Sequence, residues 1–286
     1  MLSVTGVLDW WKNMFKLRAL SAIVLLPLVV IAILKLPSLY VAIASGLVFA
    51  LATWEWLSMI VLKNIYIRVF LLLTLIFVAA SLLNTGLAVH WIYWLSLVWW
   101  ICGFIGICYY PRGGKIWSQT LLQPFIGLIM FVPAWVAFNQ LHASPQGPIW
   151  VLLGCCLVWG ADIGAYCTGK LFGKAKLVEL VSPGKTWAGL YGALITGCVI
   201  MVIFYYSFQP QFSLLYALWL AVLTLVFSVI GDLVESLLKR VYGVKDSGTL
   251  IPGHGGAFDR IDSMLAAFPI YVLGLQIIQN LRIITQ

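Results

Sequence analysis

Residues 187–231 read WAGLYGALITGCVIMVIFYYSFQPQFSLLYALWLAVLTLVFSVIG, and none of these 45 residues is Asp, Glu, Lys or Arg. A helix that crosses a bilayer needs about 20 consecutive apolar residues, so the stretch is long enough for two spans. The polar break Gln209-Pro210-Gln211 near its middle marks the turn between them. The stretch therefore predicts a pair of antiparallel membrane helices.

Three further stretches, 36–54, 69–111 and 116–161, are equally free of charged residues. Of the 286 residues, 63% are hydrophobic and 9% are charged, whereas about 25% are charged in a soluble domain. This composition excludes a soluble globule. It predicts an all-α, polytopic integral membrane protein of about nine transmembrane helices with cytoplasmic catalytic loops. The predicted spans are 18–35, 38–61, 67–84, 91–110, 119–140, 148–170, 187–208, 212–238 and 263–282.

The positive charges indicate how these spans cross the membrane. If the amino terminus is cytoplasmic, 15 of the 17 Lys and Arg residues fall in cytoplasmic loops or at cytoplasmic helix ends. Only Lys35 and Arg282 lie on the other side. Because cytoplasmic loops carry the excess of Lys and Arg, this distribution predicts nine spans with the carboxyl terminus outside.

The acidic residues indicate which part of the chain carries the chemistry. Seven of the nine Asp and Glu residues lie between residues 162 and 262, whereas the amino-terminal half contains only Asp9 and Glu55. We therefore expect residues 1–115 to form a transmembrane scaffold and residues 116–286 to form the transmembrane catalytic region.

A first polar group lies at the end of the sixth predicted span. Asp162, Tyr166 and Gly169 share one helix face, and Lys170 sits beside them. A carboxylate on an apolar span is costly and is by default a functional candidate. The alternative is an acid that forms a packing salt bridge with a neighbouring helix.

Lys185 follows Ser182-Pro183-Gly184 and stands just before the next span. Its ammonium, the flanking hydroxyls and the free amides of the helix start could bind an anion together. Gly-Lys-Thr also suggests a P-loop, but that motif needs Gly where this chain has Glu179, and no strand precedes it. Lys174 and Lys176 are alternatively charges that only set the topology.

A second polar group begins near the end of the eighth predicted span. Asp232, Glu235, Ser236 and Lys239 recur at i, i+3, i+4 and i+7, which places them on one polar helix face. Such a face at the cytoplasmic end of an apolar helix predicts a site at the membrane surface.

Asp259 and Asp262 stand three residues apart at the opening of the last span, so both carboxylates point the same way. Neighbouring carboxylates repel unless a proton or a cation lies between them, and hard oxygen ligands suit magnesium. The alternative is an Asp259 that caps the helix and an Asp262 that faces solvent.

The glycine-rich run Gly253-His254-Gly255-Gly256 lets backbone amides approach a ligand, which suits a phosphate nest. A flexible interhelical loop would have the same composition. We expect His254 to donate a hydrogen bond to phosphate. Carboxylates, basic residues and a glycine nest at one membrane surface together predict metal-assisted chemistry on a polyphosphate, with a lipid as the second substrate.

This second segment resembles the signature of the phosphatidate cytidylyltransferase family, also called CDP-diglyceride synthases. The resemblance covers essentially residues 150–286, with Trp54-Glu55-Trp56 as a weaker match, and it departs from the family pattern at Ala188. The matching pattern is Ser236-x-x-Lys239-Arg240-x-x-x-x-Lys245-Asp246-x-Gly248-x-x-Ile251-Pro252-Gly253-His254-Gly255-Gly256-x-x-Asp259-Arg260-x-Asp262.

The resemblance implies that CMP is transferred from CTP to phosphatidate in a bacterial inner membrane, with the site facing the cytoplasm. It implies a centre of two cations, Mg²⁺ and K⁺. It implies no nucleic-acid partner, and it is compatible with a homodimer. The implied metal ligands are Asp232, Asp259 and Asp262. The implied CTP-binding residues are Asp162, Tyr166, Lys170, Ser182, Lys185 and Ser236. The implied catalytic residues are Lys239, Arg240, Lys245, Asp246, His254 and Arg260.

Two other functions fit parts of the sequence. A transporter of an anionic solute also carries charges in its spans, but it should show discontinuous helices and repeat symmetry. A CTP-dependent kinase of polyprenol or diacylglycerol would share the carboxyl-terminal core. A kinase leaves the γ-phosphate on the lipid, whereas a cytidylyltransferase leaves CMP there.

Overall fold

The computed structural model describes residues 25–60, 64–84, 90–117, 122–248 and 255–285. These residues form ten helices and one short hairpin. The helices are α1 (Leu25–Lys35), α2 (Ser38–Met59), α3 (Ile65–Asn84), α4 (His90–Tyr109), α5 (Gly114–Trp117), α6 (Gln123–Ala143), α7 (Gly147–Phe172), α8 (Trp187–Phe208), α9 (Leu214–Val241) and α10 (Phe258–Thr285). The strands, β1 (Lys176–Val178) and β2 (Ser182–Thr186), lie between α7 and α8.

Eight of the described helices, α2 to α4 and α6 to α10, are long and apolar enough to cross a membrane. They confirm the predicted polytopic helical class and match the spans predicted from residue 38 onwards. Helix α1 is the described end of the first predicted span, whose residues 18–24 lie outside the described residues. Large apolar side chains such as Phe70 and Ile195 are exposed on the outside of the bundle, as a lipid-facing surface requires.

The structure differs from the predicted boundaries at two places near the site. The polar segment after α7 forms a hairpin rather than a loop, in which Lys176 pairs with Thr186 and Val178 with Ser182. Helix α10 begins at Phe258 instead of residue 263. The reason is that Glu55 accepts the free backbone N–H of Phe258, the first residue of the helix, while Asp259 accepts the amide of the preceding Gly256.

Glycines let two pairs of helices approach closely. A Cβ on Gly164 of α7 would lie 2.7 Å from the carbonyl oxygen of Gly192 in α8, and the reverse contact is equally close. In the same way, a Cβ on Gly231 of α9 would lie 2.7 Å from the backbone oxygen of Asp262 in α10. Small residues at membrane helix crossings allow such backbone contact, which brings polar groups on the two helices together.

One buried aromatic cluster joins both halves of the chain. The ring of Phe258 at the start of α10 lies 6.1 Å from that of Trp56 in α2 and 5.5 Å from that of Phe131 in α6. Trp100 of α4 is fully buried in the same cluster. Helices before and after residue 115 therefore share a core, and the predicted division into scaffold and catalytic region stays a prediction.

Five segments meet at one end of the bundle. Helices α2, α7 and α9 end there, and α8 and α10 begin there. An ion pair between Lys185 and Asp232 joins β2 to α9, and a hydrogen bond between Phe258 and Glu55 joins α10 to α2. The polar residues singled out in the sequence lie at this end.

Candidate active site

A cavity of about 390 Å³ opens at this end between α7, β2, α8, α9 and α10. Asp162, Tyr166 and Lys170 line it from α7, Lys185 from β2 and Asp232 from α9. The structure thus brings together four of the six residues predicted to bind CTP, with one predicted metal ligand beside them. The cavity combines carboxylates, ammonium groups and an aromatic ring, which suits a charged ligand that has both phosphates and a ring.

Helix α7 supplies a basic and aromatic wall. The ammonium nitrogen of Lys170 lies 5.7 Å from the ring centroid of Tyr166, within the range of a cation–π contact. Tyr166 is 67% exposed, so its ring is available to a ligand in the cavity. The sequence predicts Lys170 beside the helix face of Asp162 and Tyr166, and the structure shows the lysine and the tyrosine in contact.

Lys185 and Asp232 form an ion pair in the cavity lining. Its Nζ lies 2.6 Å from Asp232 Oδ2, and both side chains are partly accessible to solvent. Strand β2 positions this lysine just before Thr186, whose hydroxyl caps α8 by accepting a hydrogen bond from the Gly189 amide at 3.1 Å. The Thr186 hydroxyl was one of those expected to bind an anion, and here it caps the helix instead. This cap fixes the point where the hairpin meets α8.

Three carboxyl groups form a cluster beside this ion pair. Asp232 and Glu235 lie one turn apart on α9, Asp262 lies opposite on α10, and one oxygen atom of each lies within 4.8 Å of the others. Glu235 is buried, and its Oε1 has no hydrogen-bond partner among the described residues. Hard oxygen ligands at this spacing, with a buried oxygen left unsatisfied, fit a divalent cation.

Asp259 lies outside that cluster, in contrast to its predicted place beside Asp232. It pairs with Lys239 at 3.0 Å and accepts the backbone N–H of Gly256 at 2.8 Å and of Ser247 at 3.2 Å. Asp259 is the second residue of α10 and bonds amides in front of the helix, so it ties the preceding segment to the helix start and does not cap the helix itself. The Gly256 amide, one of the amides expected to bind phosphate, therefore already donates to a carboxylate.

Lys239, one of the implied catalytic residues, lies between two carboxyl groups. Its Nζ lies 2.6 Å from Glu235 Oε2 and 3.0 Å from Asp259 Oδ1, and its side chain is 16% exposed. This lysine links Asp259 at the start of α10 to the acidic cluster. Its observed contacts hold the site together, and a direct contact with substrate stays a prediction.

Glu55 lies at the same end of the bundle, although the sequence predicts it within the scaffold. This buried carboxyl group on α2 accepts the backbone N–H of Phe258 at 2.9 Å and the hydroxyl of Ser247 at 3.2 Å. The available signal was its position as an acid within an apolar span, flanked by Trp54 and Trp56. The sequence likewise predicts Glu235 only as part of a polar helix face. Its one-turn spacing from Asp232 is a signal that the two carboxyl groups could bind one cation.

The other predicted residues that the structure describes lie outside the cavity lining. Ser182 and Ser236 are half-buried, and neither lines the cavity. Arg240 donates from Nε to the Val181 carbonyl at 3.1 Å, which ties α9 to the hairpin. Lys245, Asp246 and Arg260 are exposed at the same end, and His254 lies outside the described residues.

The fold and the site define a polytopic membrane protein with a polar, acid-rich cavity at one end of its helices, suited to metal-assisted phosphate chemistry. The family model described as the cytidylyltransferase family matches residues 16–278. The chain belongs to this family, and the resemblance stated from the sequence is confirmed.

Two relatives align with nine-tenths of the chain, and a third with about half of it. A protein named phosphatidate cytidylyltransferase from Pseudomonas aeruginosa is 37% identical over 259 residues, covering 90% of this chain and 96% of the relative. One of the same name from Haemophilus influenzae is 39% identical over 280 residues, covering 90% and 97%. A third, from Bacillus subtilis, is 39% identical over 151 residues, covering 52% and 54%.

Proposed function

We propose that this chain is a phosphatidate cytidylyltransferase, which transfers CMP from CTP to phosphatidate and releases pyrophosphate. The observation that carries the proposal is the cavity that Lys170, Lys185 and Asp232 of the acidic cluster line together, at one end of helices that are long and apolar enough to cross a membrane. Relatives that align with nine-tenths of the chain bear the name of that activity. A lipid substrate would reach a site at the end of membrane helices by lateral diffusion, and the nucleotide would enter from water.

The reaction is an in-line substitution at phosphorus. A phosphate oxygen of phosphatidate attacks the α-phosphorus of CTP, and the bond from that phosphorus to the oxygen bridging the β-phosphate breaks. Pyrophosphate leaves with the electron pair of this bond. Lys170 and Lys185 line the cavity and offset the charge that grows on the leaving group, so catalysis rests on positioning and electrostatics.

Asp232, Glu235 and Asp262 would hold the cation in this mechanism. When bound, a divalent cation supplies charge neutralisation and orientation of the phosphates. We propose Mg²⁺ for this place because the donor set consists of carboxylate oxygens, and K⁺ as the second cation that the family resemblance implies. Asp259 stays a proposed ligand, either through a shift away from Lys239 or as a neighbour of the second cation.

We also propose that the chain lies in the bacterial inner membrane with this cavity facing the cytoplasm. The support is the excess of Lys and Arg on that side in the nine-span arrangement. A cytoplasmic site would have direct access to CTP and to phosphatidate in the inner leaflet.

The decisive experiment compares CTP labelled at two positions. The purified protein in phosphatidate micelles with Mg²⁺ should transfer ³²P to the lipid from [α-³²P]CTP and none from [γ-³²P]CTP. The lipid product should carry the cytosine base, as shown by its absorbance or mass. Transfer of the γ-label instead would replace this proposal with a CTP-dependent lipid kinase.

A further inference from the structure

Glu55 contacts the connection between α9 and α10, residues 242–257, which we call the polar segment. The contacts lie on both sides of residues 249–254. Before that stretch, the hydroxyl of Ser247 donates to Glu55 Oε2 at 3.2 Å. After it, the backbone N–H of Phe258 donates to the same oxygen at 2.9 Å. A single carboxyl oxygen from a helix in the amino-terminal half therefore joins two points that are eleven residues apart in sequence.

Two glycines of the segment fit closely around this carboxyl group. A Cβ added to Gly248 would collide with Glu55 Oε1, and a Cβ added to Gly256 would collide with Oε2. Oε1 is buried and has no hydrogen-bond partner among the described residues. The backbone at Gly248 and at Gly256 thus packs against the two oxygens of the carboxyl group, one glycine on each.

The contact continues into the acidic cluster. Phe258 is the first residue of α10, and the next residue, Asp259, accepts the Ser247 amide that precedes Gly248. Asp259 pairs with Lys239, and Lys239 pairs with Glu235, a member of the cluster. The same helix start carries Asp262 one turn later. A shift of the α10 start would move two acidic residues at once.

We infer that Glu55 is a positioning residue of the active site: its carboxyl group fixes the start of α10, and thereby Asp259 and Asp262, relative to α9. This inference rests on the proposed function only for its activity readout. It assigns a role in the reaction to the part of the chain that the sequence suggested was scaffold.

The test measures metal binding as well as turnover. Mn²⁺ is the probe, and free Mn²⁺ is counted by electron paramagnetic resonance while the full-length protein is titrated without CTP or lipid. Glu55→Ala should weaken Mn²⁺ binding about tenfold, as loss of a group that orients metal ligands does. It should also lower kcat about 10- to 100-fold, because reacting groups lose their alignment.

Glu55→Gln separates positioning from general support of the fold. The amide keeps one oxygen at the place of Oε2 and puts its NH₂ at the unpartnered Oε1, so kcat and Mn²⁺ affinity should stay within about threefold of wild type. Asn139→Ala is the matched control, because it removes a buried amide that bonds Ser45 and the Trp135 carbonyl, far from the segment. It should lower the melting temperature but leave Mn²⁺ affinity unchanged.

Gly248→Ala adds a test of the contact itself. The new methyl group meets Glu55 Oε1 in the wild-type background, so it should cost much of the activity there and little further activity in Glu55→Ala. If Glu55→Ala does not fold, Ser247→Ala removes one of the two donors and should still weaken Mn²⁺ binding by about threefold.

The inference is overturned if Glu55→Ala, or Ser247→Ala in its place, matches Asn139→Ala in Mn²⁺ affinity and kcat. It is also overturned if Glu55→Gln is as impaired as Glu55→Ala. A wild-type protein that binds Mn²⁺ but transfers no label from CTP would contradict the proposed function instead, and the Mn²⁺ comparison would still decide the role of Glu55.

Discussion

Gly231 of α9 lies directly against the backbone of Asp262 in α10, so that a Cβ on the glycine would be 2.7 Å from the aspartate carbonyl oxygen. Further along the same crossing, the Cβ would meet Ala266 at 3.0 Å. The neighbours are backbone and a methyl group, which cannot rotate away as a long side chain can. The absence of a side chain at position 231 therefore sets the separation of the two helices that carry the acidic cluster.

Gly231→Ala should force α9 and α10 apart and separate Asp232 and Glu235 from Asp262. We expect about a tenfold or greater loss of kcat and a higher Mg²⁺ concentration for half-maximal activity. The control is Gly274→Ala on the same helix pair, where the nearest atom is Cδ1 of the flexible Leu220. Equal Mg²⁺ dependence in the two variants would show that this crossing does not shape the cation site.

Glu235→Gln should remove one charged oxygen ligand from the cluster. We expect the Mg²⁺ requirement to rise and turnover to fall by about 100-fold, because the buried position allows no replacement ligand from water. Glu179→Gln changes the same residue type at the exposed end of the hairpin and should behave as wild type. A Mg²⁺ titration of each purified variant measures the effect, and wild-type behaviour of Glu235→Gln would exclude this residue as a ligand.

Asp259→Asn should abolish turnover while the protein remains folded. The amide can still accept one backbone N–H, but it loses the ion pair that holds Lys239 beside Glu235. Asp246→Asn, at an exposed position of the same segment, should keep measurable activity. Labelled CTP turnover and thermal unfolding together check this, and an active Asp259→Asn enzyme with normal Mg²⁺ dependence would contradict it.

Lys185→Ala should weaken the use of CTP. A charge-assisted contact contributes about 1.5 to 3 kcal/mol, so kcat/KM for CTP should fall by about 10- to 100-fold. Lys174→Ala removes an exposed lysine that does not line the cavity and should have little effect. If Lys174→Ala loses activity and Lys185→Ala does not, the nucleotide phosphates bind near the start of the hairpin and not beside the acidic cluster.

Membrane orientation is open to chemical labelling. In a background with all six cysteines replaced, a cysteine at position 182 should react with an impermeant thiol reagent only from the cytoplasmic side. A cysteine at position 144 should react only from outside, because the positive charges place the two positions on opposite faces. Labelling of both positions from one face would reject the nine-span arrangement.

Local sequence patterns were enough for the helices and for one wall of the site. Apolar stretches and polar breaks predicted the spans from residue 38 onwards, because the length of a helix in a membrane is set by the bilayer. The spacing of Asp162, Tyr166 and Gly169 likewise places three cavity residues on one face of α7, with Lys170 beside them. These features depend on residues that are close in sequence.

Contacts between distant segments could not be predicted in this way. Nothing in the periodicity around Asp259 distinguishes a metal ligand from a helix cap, because the choice depends on Lys239 and on the amides that surround it. Glu55 is likewise 203 residues away from the amide it accepts. Both roles arise only when helix crossings bring these groups together.

The two lysines between the carboxyl groups have a consequence for charge balance. Asp162, Asp232, Glu235, Asp259 and Asp262 carry five formal negative charges when ionised. Lys185 and Lys239, which pair with three of these groups, offset two of the charges. The remainder is three negative charges in a partly buried place, where an unbalanced charge is costly. One divalent and one monovalent cation together restore neutrality, which matches the proposed pair of Mg²⁺ and K⁺. Replacing either lysine with a neutral residue should therefore raise the total cation charge that the site requires.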